Sequence, residues 1–137
     1  MTDGNGIDPK RAAARFRVPV LTRIPPVARR WHSVAHEEGA LKYGPYNWRK
    51  TRVKASTYVD AACRHLDKFS DGQLCDTMTG VPHLASVMAS CAILLDAFQN
   101  GTLEWDLPTP PEFNFGLERA DAERAMKLLH SLYGDKT

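Results

Sequence analysis

Helix-breaking residues divide this chain at nearly regular intervals, and the stretches between them are long enough for helices. The breaks lie at Gly44-Pro45, Ser70-Asp71-Gly72, Asn100-Gly101 and Gly134. Prolines at Pro25-Pro26 and Pro82 suit helix starts, because a proline in the first turn costs no helical hydrogen bond. The sequence therefore predicts an all-α fold, a bundle of four to five helices without a convincing pair of strands.

Four segments show the apolar spacing of a helix. Their predicted bounds are Pro25-Pro26 to Gly44-Pro45, Thr57 to about Phe69, Pro82 to about Phe98, and Leu117 to Tyr133. Ser56 is expected to cap the second helix. The third helix is the most apolar, so we expect it to be the central core helix.

Apolar stripes predict which side of each helix is buried. In the first helix the stripe consists of Val27, Trp31, Val34 and Leu41. In the second, one side carries Tyr58, Ala62, His65 and Phe69. In the third, the apolar residues are Leu84, Val87, Met88, Cys91, Leu94, Leu95 and Phe98.

The remaining segments are expected to surround one helical domain. Residues 1–25 are predicted to form an N-terminal arm, partly flexible, because its start is rich in Gly and Asp and its end is interrupted by prolines. Residues 26–137 are predicted to form a single all-α domain. Within it, Tyr46 to Ala55 is expected to be a basic loop, and Thr102 to Gly116 a long ordered loop or a partner-facing segment.

Composition argues against several classes of protein. A formal net charge of +2 is too small for stable nucleic-acid binding, which usually requires a strong basic patch. No apolar run approaches the roughly 18 residues of a membrane-spanning helix, and the N-terminus lacks the apolar core of a signal peptide. Cys63, Cys75 and Cys91 lack metal-ligand spacing and indicate reduced thiols. We therefore expect a soluble cytoplasmic protein, in the host cytoplasm if it is viral.

Glu38 is the first polar residue in an unexpected place. It shares the helical phase of Val34 and Leu41, and an inward carboxylate is costly unless it is paired or binds a metal. Glu37 stands about 100° around the same helix, so both side chains could reach one rim. Alternatively, both glutamates are solvated near the end of the helix.

His65 is the second such residue, on the inner side of the second helix. Asp60, Arg64 and Asp67 lie close to it in sequence. Alternatively, His65 is a hydrogen-bonded core histidine, and Asp60 and Arg64 form a surface ion pair.

His83 is the third, in the first turn of the third helix and a short loop away from Asp76. A helix N-terminus can bind a phosphate or a carboxylate through its free N–H groups. Alternatively, the loop only caps the helix through Asp76 or Thr79. If the helices pack antiparallel, all three polar groups converge, and such carboxylates suit Mg²⁺ or Mn²⁺ bound with phosphates.

The stretches GALKYGPYNW, YVDAACRHLDKFSDGQLCD and TGVPHLAS follow one another between Glu37 and Phe98. In this order they resemble a phage and bacterial family with G-A-x-K-Y-G-x-x-N-W, Y-x-x-A-x-x-R-H-L and D-x-x-T/S-G-x-x-H-L-x-H motifs. The chain is thus similar to the MazG-like all-α nucleoside triphosphate pyrophosphohydrolases. Within them it resembles the dATP/dGTP diphosphohydrolases of MazZ type, from phages that replace adenine with 2-aminoadenine.

The resemblance implies hydrolysis of a purine dNTP, dGTP before dATP, to dNMP and diphosphate. The implied context is phage nucleotide-pool remodelling and 2-aminoadenine DNA synthesis. It also implies Mg²⁺, which Mn²⁺ can replace, and a homo-oligomer, either a dimer or a tetramer. The wider superfamily holds its metals with E-E-x-x-E and E-x-x-D helices, whereas Leu41 and Ser86 occupy two of the corresponding positions here.

Site roles follow as hypotheses from these motifs. The metal ligands are expected among Glu37, Glu38, Asp60, Asp67 and Asp76. The catalytic residues are expected to be Glu38, His65 and Arg64. The substrate-binding residues are expected to be Tyr43, Asn47, Trp48, Arg52, Lys54 and His83, with Asn47 and Trp48 recognising the purine.

Two rival functions are compatible with the same residues. One is a non-catalytic helical protein, a nucleotide-binding module or a phage adaptor, which could bind a protein through the loop Trp105 to Phe115. The other is a phosphohydrolase of His-Asp type that releases triphosphate. The sequence disfavours the latter, because it contains no His-Asp dipeptide.

Overall fold

The structure is a computed structural model that describes residues 8–10, 21–112 and 116–134. The chain forms two compact units, residues 24–114 and residues 1–23 with 115–137, and each is described by itself. Most of the predicted flexible arm, residues 1–7 and 11–20, lies outside the described residues. The single domain predicted for residues 26–137 stays a prediction.

Helices dominate the described residues, so the predicted all-α class is confirmed. The unit of residues 24–114 contains, in order, α1 (Pro26–Tyr43), α2 (Asn47–Lys50), β1 (Val53–Lys54), α3 (Ala55–Ser70), α4 (His83–Asn100) and β2 (Leu103–Glu104). The other unit contains a 3₁₀ turn, Leu21–Arg23, and α5 (Arg119–Tyr133). Among the residues described, no helix has both the length and the apolar character needed to cross a membrane.

The central position predicted for α4 is confirmed, since α4 packs against both α3 and α1. The residues it buries differ from those expected: Ala85, Ala89 and Ala97 are buried, whereas Leu84 and Leu95 are exposed. Small side chains let neighbouring helices approach closely, because the interaxial distance depends on the residues at the contact. The large apolar residues of α4 are therefore not all core residues.

Helix α1 has the predicted bounds but a different buried side. It begins after Pro25 and ends before Gly44, whose φ of +93° suits a residue without a side chain. Its core contacts come from Ala35, which is buried, and from Trp31, which packs against the core. The stripe predicted through Leu41 is wrong, because Leu41 is 80% exposed.

The predicted basic loop, Tyr46 to Ala55, contains regular structure. It forms α2 and β1, and β1 pairs in parallel with β2, with Val53 opposite Leu103. The Val53 amide also donates to the Thr102 carbonyl at 2.9 Å. The sequence analysis predicted no convincing pair of strands, and this short pair was missed. Strands of two residues are too short to show an alternating apolar pattern.

Helix α3 begins at Ala55, so Ser56 lies inside the helix and is not its N-cap as predicted. The Asp106 carboxylate instead accepts hydrogen bonds from both the amide, at 2.8 Å, and the hydroxyl of Ser56. An acceptor from another segment thus satisfies a first-turn N–H group that the helix itself leaves free. This contact orders part of the predicted long loop; residues 113–115 of that loop lie outside the described residues.

Helix α5 starts two residues later than the predicted Leu117 and stops, as predicted, before Gly134. A capping box fixes its start. The Glu118 carboxylate accepts a hydrogen bond from the Asp121 amide, and the Asp121 carboxylate accepts one from the Glu118 amide. The box explains the later start.

Candidate active site

A cavity of about 170 Å³ lies between α1, α3 and α4 and is also lined by the turn into α2. We call it the inner pocket. Five predicted site residues line it: Glu38, Tyr43, Asn47, Trp48 and His65. Lys42, Tyr58, Ser86 and Ser90 add further polar atoms. Glu38 of α1 and residues of the GALKYGPYNW stretch therefore meet His65 of α3 at one place.

A second cavity of about 520 Å³, the outer pocket, adjoins the first. The two share His36, Tyr46 and Trp48, and the outer pocket adds Glu37 and Asp96. Glu37 thus lines the outer pocket, whereas Glu38 lines the inner one. The sequence prediction that both reach one rim does not describe their placement.

Glu38 points to the inner pocket with a side chain that is 28% exposed. Its carboxylate lies 3.5 Å from the Lys42 ammonium, one helical turn further along α1. The ion pair offsets the cost of partial burial, which is the condition the sequence set for an inward carboxylate. Lys42 was not predicted as a site residue, although its i,i+4 spacing from Glu38 was visible in the sequence.

His65 reaches the inner pocket from α3 and is supported from behind by His83. The two Nδ1 atoms are 2.9 Å apart, and the ring centroids are separated by 5.2 Å. Burial, followed by the neighbouring His83, Lys68 and Arg64, lowers the pKa of His65, whereas Glu38 raises it. His65 is therefore mainly a neutral imidazole at pH 7, able to accept a proton.

His83 is fully buried at the start of α4. Its Nε2 atom lies 2.6 Å from the Gln73 side-chain oxygen. His83 thus supports His65 and does not line either pocket, which is not the placement expected of a substrate ligand. Gln73 was missed by the sequence interpretation, because a polar loop residue has no periodic signal.

The turn into α2 presents the aromatic wall shared by the two pockets. Tyr46 adopts a left-handed conformation with φ of +59°, uncommon for a residue with a side chain. The ring centroids of Tyr46 and Trp48 are 6.0 Å apart in an edge-on arrangement, and those of His36 and Trp48 are 6.5 Å apart, also edge-on. This strained turn is what places Trp48 at the cavity mouth.

Arg49 fixes this wall to α4. Its guanidinium lies 5.4 Å from the centre of the Trp48 ring and donates two hydrogen bonds to Asp96, at 2.7 and 2.6 Å. These bonds from Arg49 hold the pKa of the Asp96 carboxyl below its usual value. Asp96 therefore stays ionised and keeps Trp48 anchored at neutral pH.

Seven predicted site residues, all within the described ranges, lie outside the lining of both pockets: Arg52, Lys54, Asp60, Arg64, Asp67, Asp76 and His83. Asp60, Arg64 and Asp67 are exposed on α3. Asp76 organises its own loop, since one carboxylate oxygen accepts from the amides of Met78 and Thr79 at 2.9 and 3.0 Å. These bonds lower the pKa of Asp76. Capping of α4 by Asp76 or Thr79 was wrongly predicted, because the N-cap is Pro82 and no side chain caps the helix.

The side chains present limit which metal could be bound. Within residues 8–10, 21–112 and 116–134, no three His, Cys, Asp or Glu side chains are grouped to hold a metal ion. The five carboxylates predicted as ligands are therefore not gathered into one cluster. The inner pocket offers Glu38 alone, and Mg²⁺ often binds through one or two carboxylates together with water and substrate phosphates. This donor set fits Mg²⁺ that arrives with a nucleotide.

Residues 8–106, which include both pockets, match the protein-family model described as dATP/dGTP diphosphohydrolase, N-terminal. The chain belongs to this family. The match confirms the resemblance seen in the sequence, and the family name identifies a hydrolase that acts on deoxynucleoside triphosphates. Searches of curated proteins and of solved structures gave no match.

Proposed function

We propose that the inner pocket hydrolyses a purine dNTP, dGTP before dATP, to the nucleoside monophosphate and diphosphate. One observation carries the proposal: Glu38 and the neutral imidazole of His65 line the same small cavity, next to an aromatic wall. Family membership supports the substrate class. A phage role, in remodelling the nucleotide pool for 2-aminoadenine DNA, is part of the proposal and rests on the resemblance.

The shared wall provides a site for the nucleoside. Trp48 is partly buried and lines both cavities. Stacking on an aromatic ring binds any base, so hydrogen bonds are needed to select purines. Asn47 stands beside Trp48 in the inner pocket and offers both an amide donor and an acceptor.

The polar side of the inner pocket provides a site for the phosphates. The Lys42 ammonium offsets phosphate charge, and the Ser86 and Ser90 hydroxyls can donate to phosphate oxygens. Mg²⁺ or Mn²⁺, held by Glu38 and the triphosphate, would neutralise charge on the leaving diphosphate. The His65 imidazole accepts the proton of the attacking water.

The deciding experiment is an assay with purified protein, Mg²⁺ and a panel of dNTPs, in which dNMP and diphosphate are both quantified. Glu38→Gln, which keeps the shape and removes the charge, is expected to lower turnover at least about a hundredfold. Glu112→Gln is the matched control, because Glu112 is exposed and lies in neither pocket lining. Wild-type protein that yields no dNMP, or equal turnover in both variants, would exclude this role for the pocket.

A nucleotide-binding protein without turnover is the second candidate. The observation in its favour is that the described residues do not gather three metal-ligating side chains. It predicts that dGTP binds and protects the protein from unfolding while no diphosphate appears. Calorimetric titration with dGTP, run beside the turnover assay, separates the two candidates.

A further inference from the structure

Three side chains form a continuous hydrogen-bonded row behind the inner pocket. Gln73, in the loop after α3, lies 2.6 Å from Nε2 of His83. His83 Nδ1 lies 2.9 Å from Nδ1 of His65. We call this row the Gln73–His83–His65 relay. It ends at His65, which is the member that lines the pocket.

The chemistry of the three groups fixes where the protons lie. The Gln73 oxygen can only accept, so Nε2 of His83 carries a proton and donates to it. His83 is fully buried between the Gln73 oxygen and the His65 ring. With its proton placed on Nε2, its Nδ1 offers an electron pair to the other imidazole. Nδ1 of His65 must therefore be the donor between the two rings. Its other nitrogen, Nε2, is left with an electron pair for the pocket.

Backbone hydrogen bonds hold the relay in place. The Gln73 amide donates to the Lys68 carbonyl at 2.9 Å, and the His83 amide donates to the Leu74 carbonyl at 3.0 Å. An isolated antiparallel β-bridge between the backbones of Cys75 and Pro82 closes the same loop. Two members of the relay are thus fixed by their own main chain, and the tautomer they set does not depend on a bound nucleotide.

We infer that Gln73 and His83 are positioning residues that hold His65 in the tautomer with an unprotonated Nε2, the atom that accepts a proton from the attacking water. The inference rests on the proposed hydrolase function. In this step the water oxygen bonds to the α-phosphorus and the water proton moves to His65 Nε2. The bond from the α-phosphorus to the bridging oxygen breaks, and its electron pair leaves with the diphosphate.

Nitrogen-15 NMR of the histidine side chains tests the tautomer directly in the full chain without nucleotide. His65 is assigned by the signal that is lost in His65→Gln. The expected result at pH 7.5 is a protonated Nδ1 and an unprotonated Nε2 in the wild type. A proton on Nε2 of His65 would reverse the direction of the relay and overturn the inference, whether or not the protein has activity.

Steady-state kinetics test what the tautomer contributes. Gln73→Leu removes the acceptor and is expected to lower kcat at least about tenfold, with KM changed less than about threefold, because a base acts in the chemical step. Gln73→Glu keeps an acceptor oxygen and is expected to recover most of kcat. Gln99→Leu is the matched control, since Gln99 is exposed and outside both pocket linings.

The outcomes separate this inference from the proposed function. A wild type without turnover overturns the proposed function and, with it, the role of His65 as a base. Turnover in the wild type that Gln73→Leu leaves unchanged overturns the positioning role alone. A loss in Gln73→Leu that Gln73→Glu does not recover, or that appears in KM alone, indicates a structural role and also overturns it.

Discussion

Two histidine pairs in this protein have the same nitrogen–nitrogen distance but different surroundings. His32 and His36 stand four residues apart on α1, with their Nε2 atoms 2.9 Å apart. His65 and His83 come from α3 and α4, and their Nδ1 atoms are also 2.9 Å apart. The first pair is made by one helix alone, whereas the second requires the tertiary fold. Equal distances therefore do not imply equal constraint.

The partners of each pair explain the difference. His83 continues to Gln73 and is fully buried, so the protons of the second pair are fixed from one end. His36 contacts the Trp48 ring edge-on, which is a packing contact that leaves the tautomer open. We therefore assign the first pair to the shape of the aromatic wall and the second to proton transfer.

The largest expected difference between the pairs is in turnover. His65→Gln removes the proposed base and is expected to lower kcat for dGTP about a hundredfold or more. His32→Gln changes the other pair, and His32 lines neither pocket, so kcat should stay within about threefold of the wild type. Diphosphate release under saturating dGTP measures both variants. Similar losses in the two would remove the distinction drawn between the pairs.

The next largest expected difference is in stability. His83→Leu leaves the Gln73 oxygen and the His65 Nδ1 without their buried partner, at an expected cost of about 2–4 kcal/mol in the free energy of unfolding. His32→Leu should cost less than about 1 kcal/mol. Its partner His36 lies one turn away on the same helix and is only partly buried, so water can replace the lost hydrogen bond. Urea denaturation followed by circular dichroism gives both values. A cost for His32→Leu as large as that for His83→Leu would contradict the comparison.

A glycine on the helix of the first pair tests how the shape of the inner pocket affects nucleotide binding. Gly39 lies inside α1 and lines the inner pocket, and a Cβ added there would meet no atom within 4 Å. Gly39→Ala should therefore stabilise the helix by up to about 1 kcal/mol. Because the new methyl group enters the pocket, KM for dGTP should rise several-fold. A large loss of kcat with unchanged KM would show that the methyl group disturbs the chemical step and not the fit of the nucleotide.

The smallest expected effect is a pH dependence to which both pairs contribute. Burial and then His32 lower the pKa of His36, and burial and then His83 lower that of His65, from an ordinary value of 6.5. The unfolded chain then binds protons first, so both histidines reduce stability as pH falls below about 6.5. Ionised Asp76, Asp96 and Asp106, whose pKa values are lowered from 3.8, add their own loss only at more acidic pH.

Urea denaturation between pH 7.5 and pH 5 measures this dependence. His36→Gln should flatten part of the decline and leave the rest, which belongs to the second pair. A free energy of unfolding that rises as pH falls through this range would show that the histidines gain protons on folding.

The sequence predicted the parts of the structure that depend on neighbours along the chain. Prolines and glycines placed the bounds of α1 and α4, and the helical phase placed His65 on the inner side of α3. Glu38 lines the inner pocket, although Val34 and Leu41, the residues whose phase suggested this, are exposed.

The predictions failed where distant segments meet. Gln73 gains its role only because its loop folds back to His83, and Ser56 bonds to Asp106 from a segment that follows α4.

The same limit explains the error on the core. Periodicity ranks residues by apolar character, so Leu41 and Leu95 were expected inside. The alanines of α4 are buried because neighbouring helices pack closely against them. The sequence of a single helix does not show this contact. Motif order was informative where periodicity was not, because it linked the turn at Trp48 to the R-H-L helix before any contact was known.

The short pairing of β1 with β2 bears on how this protein could be rebuilt. The two strands stand immediately before α3 and after α4, and paired strands lie about 5 Å apart. The helical hairpin that contains the relay is thus a closed segment whose ends meet. Grafted onto another scaffold at two adjacent strand positions, its two ends would match the spacing of the strands that receive them.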